Sequence, residues 1–350
     1  GVDHKRAEAG SAILMDFILV AIGLALLFIA GEATLRGSIG LAKKLGVSPA
    51  MIGLTVVGFG TSAPELVVTI DAALLGQPDL AIGNVVGSNI SNLLLILGVG
   101  AIIWPLTCEA GAAKRDAGMM IGSAFLLVGL GLWGEIARWH GALMFASLVG
   151  LLSWSYLYDR KAQKVANAAA AAAAAAEDVH VKELEEVGEV PEKPWAIWAL
   201  TIFGIGGLVV GADLLVRGAV GIATQLGVPE SIIGLTLVAL GTSLPELAAT
   251  IVAALRRHTD VAIANVMGSC VFNVLAILGI TAMVAPLPIA EDIRTIDLWV
   301  MLGASLLTML LLTRACTIGR LGGWILLAGY VTYIASMSQR LVPGGLAGAF

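Results

Sequence analysis

The chain has 350 residues, 58% of them hydrophobic and 13% charged, about half the charged share of an ordinary soluble domain. Its net charge is −5, so there is no basic surface to invite a nucleic acid. The three cysteines (Cys108, Cys270 and Cys316) and the four histidines fit no metal or redox spacing.

Long apolar runs with few charges predict transmembrane helices. Ten are expected, near 12–33, 48–75, 80–104, 117–133, 141–157, 195–216, 229–255, 261–286, 296–313 and 318–337. A soluble bundle of this size would need polar helix faces that these segments lack. The fold class expected is an all-α polytopic membrane protein of the plasma (inner) membrane, with the lipid bilayer as its partner.

Residues 1–14 read as an N-terminal leader outside this pattern and are set aside, Met15-Asp16-Phe17 being a natural start. The first helix has no small-residue cleavage site and runs on into Glu32 and Arg36, so it is not a cleavable signal. The second run contains an anomaly, "GFGTSAPELVV", with a proline and a carboxylate at membrane depth. Pro64 has no N–H and its ring clashes with the carbonyl of Gly60, while Gly60 lets the backbone bend. Thr61 and Glu65 are four apart and Ser62 and Glu65 three apart, so hydroxyls and carboxylate share a face. Ser62-Ala63-Pro64-Glu65 also fits a capping box, with Ser62 as N-cap and Glu65 at N3, which a helix restarting in mid-membrane needs. The third run adds Asn84, Ser88 and Asn92 on one helical stripe. All are oxygen donors, as are backbone carbonyls at a break, and hard oxygen ligands suit Ca²⁺ or Na⁺ rather than soft metals. For the stripe the other reading is interhelical hydrogen bonding, favoured for Asn84 and its later counterpart Asn265.

After the fifth run comes a linker over 158–193, basic at its start (Arg160, Lys161, Lys164), with an alanine run at 168–176 and an acidic end. Alanine favours a short helix there, and no calcium-cage spacing is present. Beyond it the chain repeats itself at a constant offset of 181. "GTSLPE" at 241–246 repeats "GTSAPE" at 60–65, so Gly241, Thr242, Ser243, Pro245 and Glu246 match Gly60, Thr61, Ser62, Pro64 and Glu65. "AIANVMGSCVFNVLAILG" at 262–279 repeats "AIGNVVGSNISNLLLILG" at 81–98, which matches Asn265, Ser269 and Asn273 to Asn84, Ser88 and Asn92. The organisation expected is repeat 1 over 15–157, the linker, repeat 2 over 194–337 and a tail over 338–350. Five helices per repeat is an odd number, so the second half enters from the opposite side, giving inverted-topology repeats of the kind found in secondary transporters. With the N-terminus outside, fourteen Lys and Arg fall on cytoplasmic positions and six outside. That places both termini outside and the central loop in the cytoplasm.

Two inverted carboxylate helices meeting at the midplane place two formal negative charges in one site. One Ca²⁺ or two Na⁺ would balance them, and a cavity that accepts either load couples the two ions by competition. No P-loop, aspartyl-phosphate sequence or nucleophile–base pair accompanies them, so neither a nucleotide partner nor an enzyme is expected.

The motifs "GTSAPE" and "GTSLPE", with "GNVVGSNISN" and "ANVMGSCVFN", resemble those of the cation/calcium exchanger superfamily, and within it the prokaryotic Na⁺/Ca²⁺ exchangers, across residues 15–337. The resemblance implies ten helices, with broken helices 2, 3, 7 and 8 around a central ion site and helices 1 and 6 sliding past it. It implies Ca²⁺ ligation by Glu65, Glu246 and the backbone oxygens of Thr61 and Thr242. It implies Na⁺ ligation by Ser62, Ser88, Ser243, Ser269, the carbonyl of Ala239 and the same glutamates, with Asn92 and Asn273 completing the centre. Cys270 stands where the family usually has Asn. Asn273 stands where K⁺-dependent relatives carry Asp, so the resemblance implies K⁺-independence. Ca²⁺ and Na⁺ are then transported ions, with no covalent cofactor, and no oligomer is implied. The alternatives are an H⁺/Ca²⁺ antiporter using the same glutamates, or a cation channel. Glu32 and Asp213, matched in the repeat, are expected at interfaces or ion entrances.

Overall fold

The computed structural model describes residues 2–176, 193–226 and 239–341. The acidic end of the linker, the matching stretch 227–238 of the second repeat and residues 342–350 lie outside the described residues. The first half consists of α1 (Val2–Leu45), α2 (Pro49–Ile52), α3 (Gly58–Thr61), α4 (Ala63–Leu74), α5 (Pro78–Ile90), α6 (Leu97–Ile103), β1 (Leu106–Thr107), α7 (Ala110–Trp133), β2 (Glu135–Ile136) and α8 (Arg138–Ala176). The second half consists of α9 (Pro194–Gln225), α10 (Ala239–Gly241), α11 (Leu244–Leu255), α12 (Thr259–Phe272), α13 (Gly279–Val284), β3 (Leu287–Pro288), α14 (Leu298–Ala315), β4 (Thr317–Ile318) and α15 (Arg320–Leu341).

Among the described residues seven helices are long and apolar enough to cross a membrane, and the bent pair Pro49–Thr61 and Ala63–Leu74 brings the number to eight. The further spans expected from the sequence fall on α10–α11, whose preceding residues are outside the described set, and on α15, which has 22 residues. The leader expectation is not visible as a boundary, because α1 runs unbroken from Val2. Hydropathy marks only the lipid-facing part of a helix, and α1 stays helical through its polar end at Lys43 and Lys44. The alanine run likewise prolongs α8 to Ala176 instead of forming a helix of its own. The second span starts where Ser48 caps it, its Oγ accepting from the Met51 N–H at 3.2 Å, with Pro49 in the first turn.

Helices 2 and 7 are broken as expected, at Ser62 and at Thr242–Ser243. The bend at Ser62 is 43°, the effect of Pro64 on the turn before it. Helices 3 and 8 are not broken, which corrects the expectation. Each runs on through a π-helical stretch, Ser91–Ile96 and Asn273–Leu278. Neither stretch contains proline, so no N–H is missing and the ladder widens to i→i+5 bonds without opening.

The contacts come in pairs related by the sequence offset. α1 and α9 run antiparallel along one seam, backbone against backbone. A Cβ on Gly23 would stand 2.7 Å from Leu215 N, and one on Gly204, its match, 2.6 Å from Thr34 N. A Cβ on Gly37 would stand 2.8 Å from Thr201 N, and one on its match Gly218 2.9 Å from Val20 N. Without a hydrophobic drive between helices in lipid, such close approach is what holds the pair together. Behind this pair, α12 is buried from Val261 to Phe272 and forms the middle of the core. Two short antiparallel bridges stitch the halves together at their loops, β1 to β4 (Leu106 opposite Ile318) and β2 to β3 (Ile136 opposite Leu287).

Candidate ion site

The breaks in helices 2 and 7 bring the two acidic motifs together at the centre of the bundle. Glu65 is 1% exposed and Glu246 is fully buried. Each carboxylate is held by the serine of the other repeat. Ser62 Oγ donates to Glu246 Oε1 at 3.0 Å, and Ser243 Oγ donates to Glu65 Oε1 at 3.3 Å. These two bonds are images of each other under the offset of 181. Ser62 has φ −83° and ψ 7° and makes no side-chain cap, so the capping box expected from the sequence does not form. The Ser62 hydroxyl instead donates to the buried carboxylate of Glu246, a charge-assisted bond stronger than a neutral cap.

The remaining motif residues surround this pair. Ser88 Oγ lies 3.4 Å from Ser243 Oγ, and Ser269 Oγ donates to the Gly58 carbonyl at 3.3 Å. Thr61 turns its hydroxyl back onto Val57 O at 3.0 Å. Asn84 Nδ2 donates to Thr69 Oγ1 at 2.9 Å, and Asn265 Nδ2 donates to Thr250 Oγ1 at 3.4 Å. Each of these bonds ties helix 3 to helix 2, or helix 8 to helix 7, as the packing reading of the two asparagines supposes. Ala239 lies in α10, directly before the break. Gly60 and Gly241 abut α9, where a Cβ would stand 2.6 Å from Ile205 Cδ1 and 2.8 Å from Val216 Cγ2.

Five buried oxygens around the glutamates have no hydrogen-bond partner: Glu65 Oε2, Glu246 Oε2, Asn92 Oδ1, Asn273 Oδ1 and Thr242 Oγ1. An unpaired buried carboxylate oxygen costs several kcal/mol, so these oxygens are open to a further partner. All five are hard oxygens, and two belong to carboxyl groups.

Asn89 is a central residue that the motif reading did not single out. Its Oδ1 accepts from Asn273 Nδ2 at 3.0 Å, and its Nδ2 donates to the Cys270 carbonyl at 3.3 Å. Asn89 and Cys270 are 181 apart, so the contact joins matched positions of the two repeats. The signal was present in "GSN" against "GSC". Thr69 and Thr250 were also missed, each four residues after its glutamate and therefore on the same helical face.

These features define a class: a multi-pass helical membrane protein with two buried carboxylates, from two matched motifs, in one oxygen-lined centre. The family model described as "Sodium/calcium exchanger protein" matches residues 15–157 and 196–338. The sodium/calcium exchanger MaX1 of Methanosarcina acetivorans is 34% identical over 345 residues, covering 92% of this chain and 98% of that protein. The inner membrane protein YrbG of Escherichia coli is 30% identical, covering 93% and 97%. A solved structure of the sodium-calcium exchanger NCX_Mj superposes with a TM-score of 0.76 at 29% identity, covering 93% of this chain and 99% of that one. The chain belongs to the sodium/calcium exchanger protein family. It is a membrane antiporter of the cation/Ca²⁺ exchange type and not an enzyme.

Proposed function

We propose that the protein exchanges Na⁺ for Ca²⁺ by alternating access, both ions competing for the site between Glu65 and Glu246. The observation that carries this reading is the pair of crosswise serine–glutamate bonds, which leaves one unpaired oxygen on each buried carboxylate. Two formal charges match one Ca²⁺ or two Na⁺, so loading with one ion excludes the other. The Ca²⁺ ligands in this reading are Glu65, Glu246 and the backbone oxygens of Thr61 and Thr242. Those for Na⁺ are Ser62, Ser88, Ser243, Ser269, the Ala239 carbonyl and the glutamates, with Asn92 and Asn273 at the centre. Gly60, Pro64, Gly241 and Pro245 supply the breaks.

In this reading residues 15–157 and 194–337 are two inverted five-helix repeats, both termini face outside, and the linker is cytoplasmic. The antiparallel seam of α1 and α9 and the paired contacts support the inversion. Asn273, neutral at the centre, supports K⁺-independence, since an added carboxylate is what a further monovalent ion would need. The test is ⁴⁵Ca²⁺ uptake into proteoliposomes loaded with Na⁺, with imposed sodium, potassium and proton gradients in parallel. Uptake is expected to follow the sodium gradient alone. Uptake driven by the pH gradient instead would transfer the site to proton exchange.

A further inference from the structure

The bridge between β1 and β4 continues one residue beyond its strands. Its register pairs Leu106 with Ile318 and Thr107 with Thr317, and the next step sets Cys108 opposite Cys316. The Cys108 N–H completes that step by donating to the Cys316 carbonyl at 3.0 Å. The Cys108 thiol also points across the bridge. Its Sγ donates to the same carbonyl oxygen at 3.4 Å and interacts with the Cys316 thiol. Opposed residues of an antiparallel pair have Cβ atoms about 4.5–5.5 Å apart, and a disulfide needs about 3.5–4.5 Å. Rotation of the thiols and a shift of about 1 Å therefore suffice to close a bond. The pairing comes from strand register alone, across 208 positions of chain.

The other bridge shows what this position holds when no thiols meet. There Ile289, matched to Cys108 by the offset of 181, donates its N–H to the Gly134 carbonyl at 2.9 Å. Gly134 caps α7 with φ 91°, a left-handed backbone that glycine adopts freely. Cys316 caps α14 in the left-handed region too, with φ 47° and ψ 31°. Residues other than glycine are uncommon there, so the backbone gives no reason for a cysteine. The thiol facing it does. Both cysteines are half-buried. Thr259, at the start of α12, holds β1 from its other side. Its hydroxyl accepts from the Thr107 N–H at 3.1 Å and donates to the Thr107 carbonyl at 2.8 Å. Cys270, the third cysteine, is 1% exposed in the core.

We propose that Cys108 and Cys316 form a thiol–disulfide modification site, closed by a peroxide, that joins the two halves of the chain covalently. Burial, and then the hydrogen bond with Cys316, push the Cys108 thiol up to about 12. Cys108 is thus the member that keeps its proton, and Cys316 is the sulfur that meets the oxidant. The Cys316 thiolate attacks one peroxide oxygen, forming an S–O bond as the O–O bond breaks and hydroxide leaves. The Cys108 sulfur then attacks Cys316, forming the S–S bond as the S–O bond breaks. The departing hydroxide takes the Cys108 proton and leaves as water. Two thiols lose two electrons in all, and one peroxide becomes two waters. In the proposed orientation the pair faces the cytoplasm, where thiols are kept reduced, so the bond forms when peroxide rises. The chemistry rests neither on that orientation nor on which ions are exchanged.

The test is peptide mapping by mass spectrometry of the full chain, reduced, freed of reductant, treated with hydrogen peroxide and then blocked with N-ethylmaleimide. The expected product is a peptide pair joined through Cys108 and Cys316, with Cys270 unlinked, and dithiothreitol should remove it. A loop of this length should raise the thermal unfolding midpoint of the oxidised chain in detergent by about 5 °C over the reduced one. Cys108→Ser and Cys316→Gly should each lose both the cross-link and the shift. Cys316→Gly supplies the residue that caps α7 in the other half, so it is expected to fold as the wild type does. Free Cys108 and Cys316 in the peroxide-treated wild type, or a Cys316–Cys316 link between two chains, overturns the proposal. So does an equal rise of the midpoint in peroxide-treated Cys316→Gly, which assigns the shift to another residue.

Discussion

Glu32, on α1, and Asp213, on α9, occupy matched positions, yet the molecule uses them differently. Glu32 is 14% exposed, binds Arg36 on its own helix at 3.0 Å and reaches across to Arg256, just past α11, at 2.8 Å. Asp213 is 51% exposed and among the described residues pairs with Arg217 alone, one turn along the same helix, at 2.8 Å. The residue matched to Arg256 is Leu75, which offers no charge. At the centre, by contrast, two pairs of bonds repeat across the halves: Ser62 to Glu246 and Ser243 to Glu65, Asn84 to Thr69 and Asn265 to Thr250. Buried groups left unpaired in lipid cost far more than exposed ones, so the duplicated pattern persists where burial enforces it. At the rim, where water offers an alternative partner, the copies have room to differ.

The largest expected effect tests the symmetric centre. Glu65→Gln and Glu246→Gln each remove one of two charges from a hard-cation site and should lower Ca²⁺ exchange on the order of 100-fold or more. The two losses should be similar when measured as ⁴⁵Ca²⁺ flux. Near-normal flux in either variant would break the equivalence of the two carboxylates. A smaller effect is expected on the glycine seam. Gly37→Leu and Gly218→Leu each force a side chain against backbone, which costs about 1–3 kcal/mol for an overpacked contact. Thermal unfolding in detergent should show comparable losses for both, and tolerance of one alone would make the seam asymmetric. The smallest effect falls at the rim. Glu32→Gln should cost about 0.2–1 kcal/mol, the range of a partly exposed ion pair, and the cost should shrink in high salt. Asp213→Asn should cost less than that, and a larger loss would reverse the contrast drawn above.

The sequence alone showed a helical membrane chain with many apolar spans, where helices 2 and 7 break and which residues repeat. These features have local causes, in apolar runs, a proline without an N–H and a fixed offset. It did not show which partner Ser62 takes. Ser62 and Glu65 satisfy the spacing of a local cap, whereas the carboxylate that Ser62 donates to, Glu246, lies 184 residues away and is brought near only once the fold exists. The π-helical stretches were also illegible, because a single extra residue in a turn leaves an apolar run apolar. Asn89 was passed over because its counterpart is Cys270, so the motif comparison showed a mismatch. The structure instead shows the two in contact, at matched positions of the two repeats.

The two strand bridges fasten the two halves to each other at their loops. The loop after α6 is fastened to the loop after α14, and the loop after α7 to the loop after α13. These clasps lie at matched positions in the two halves and tie the core and its outer helices into a closed frame. Among the described residues neither α1 nor α9 leads into a strand. In mechanical terms the halves are laced together at their loops, while α1 and α9 lie zipped to each other along a seam of glycines.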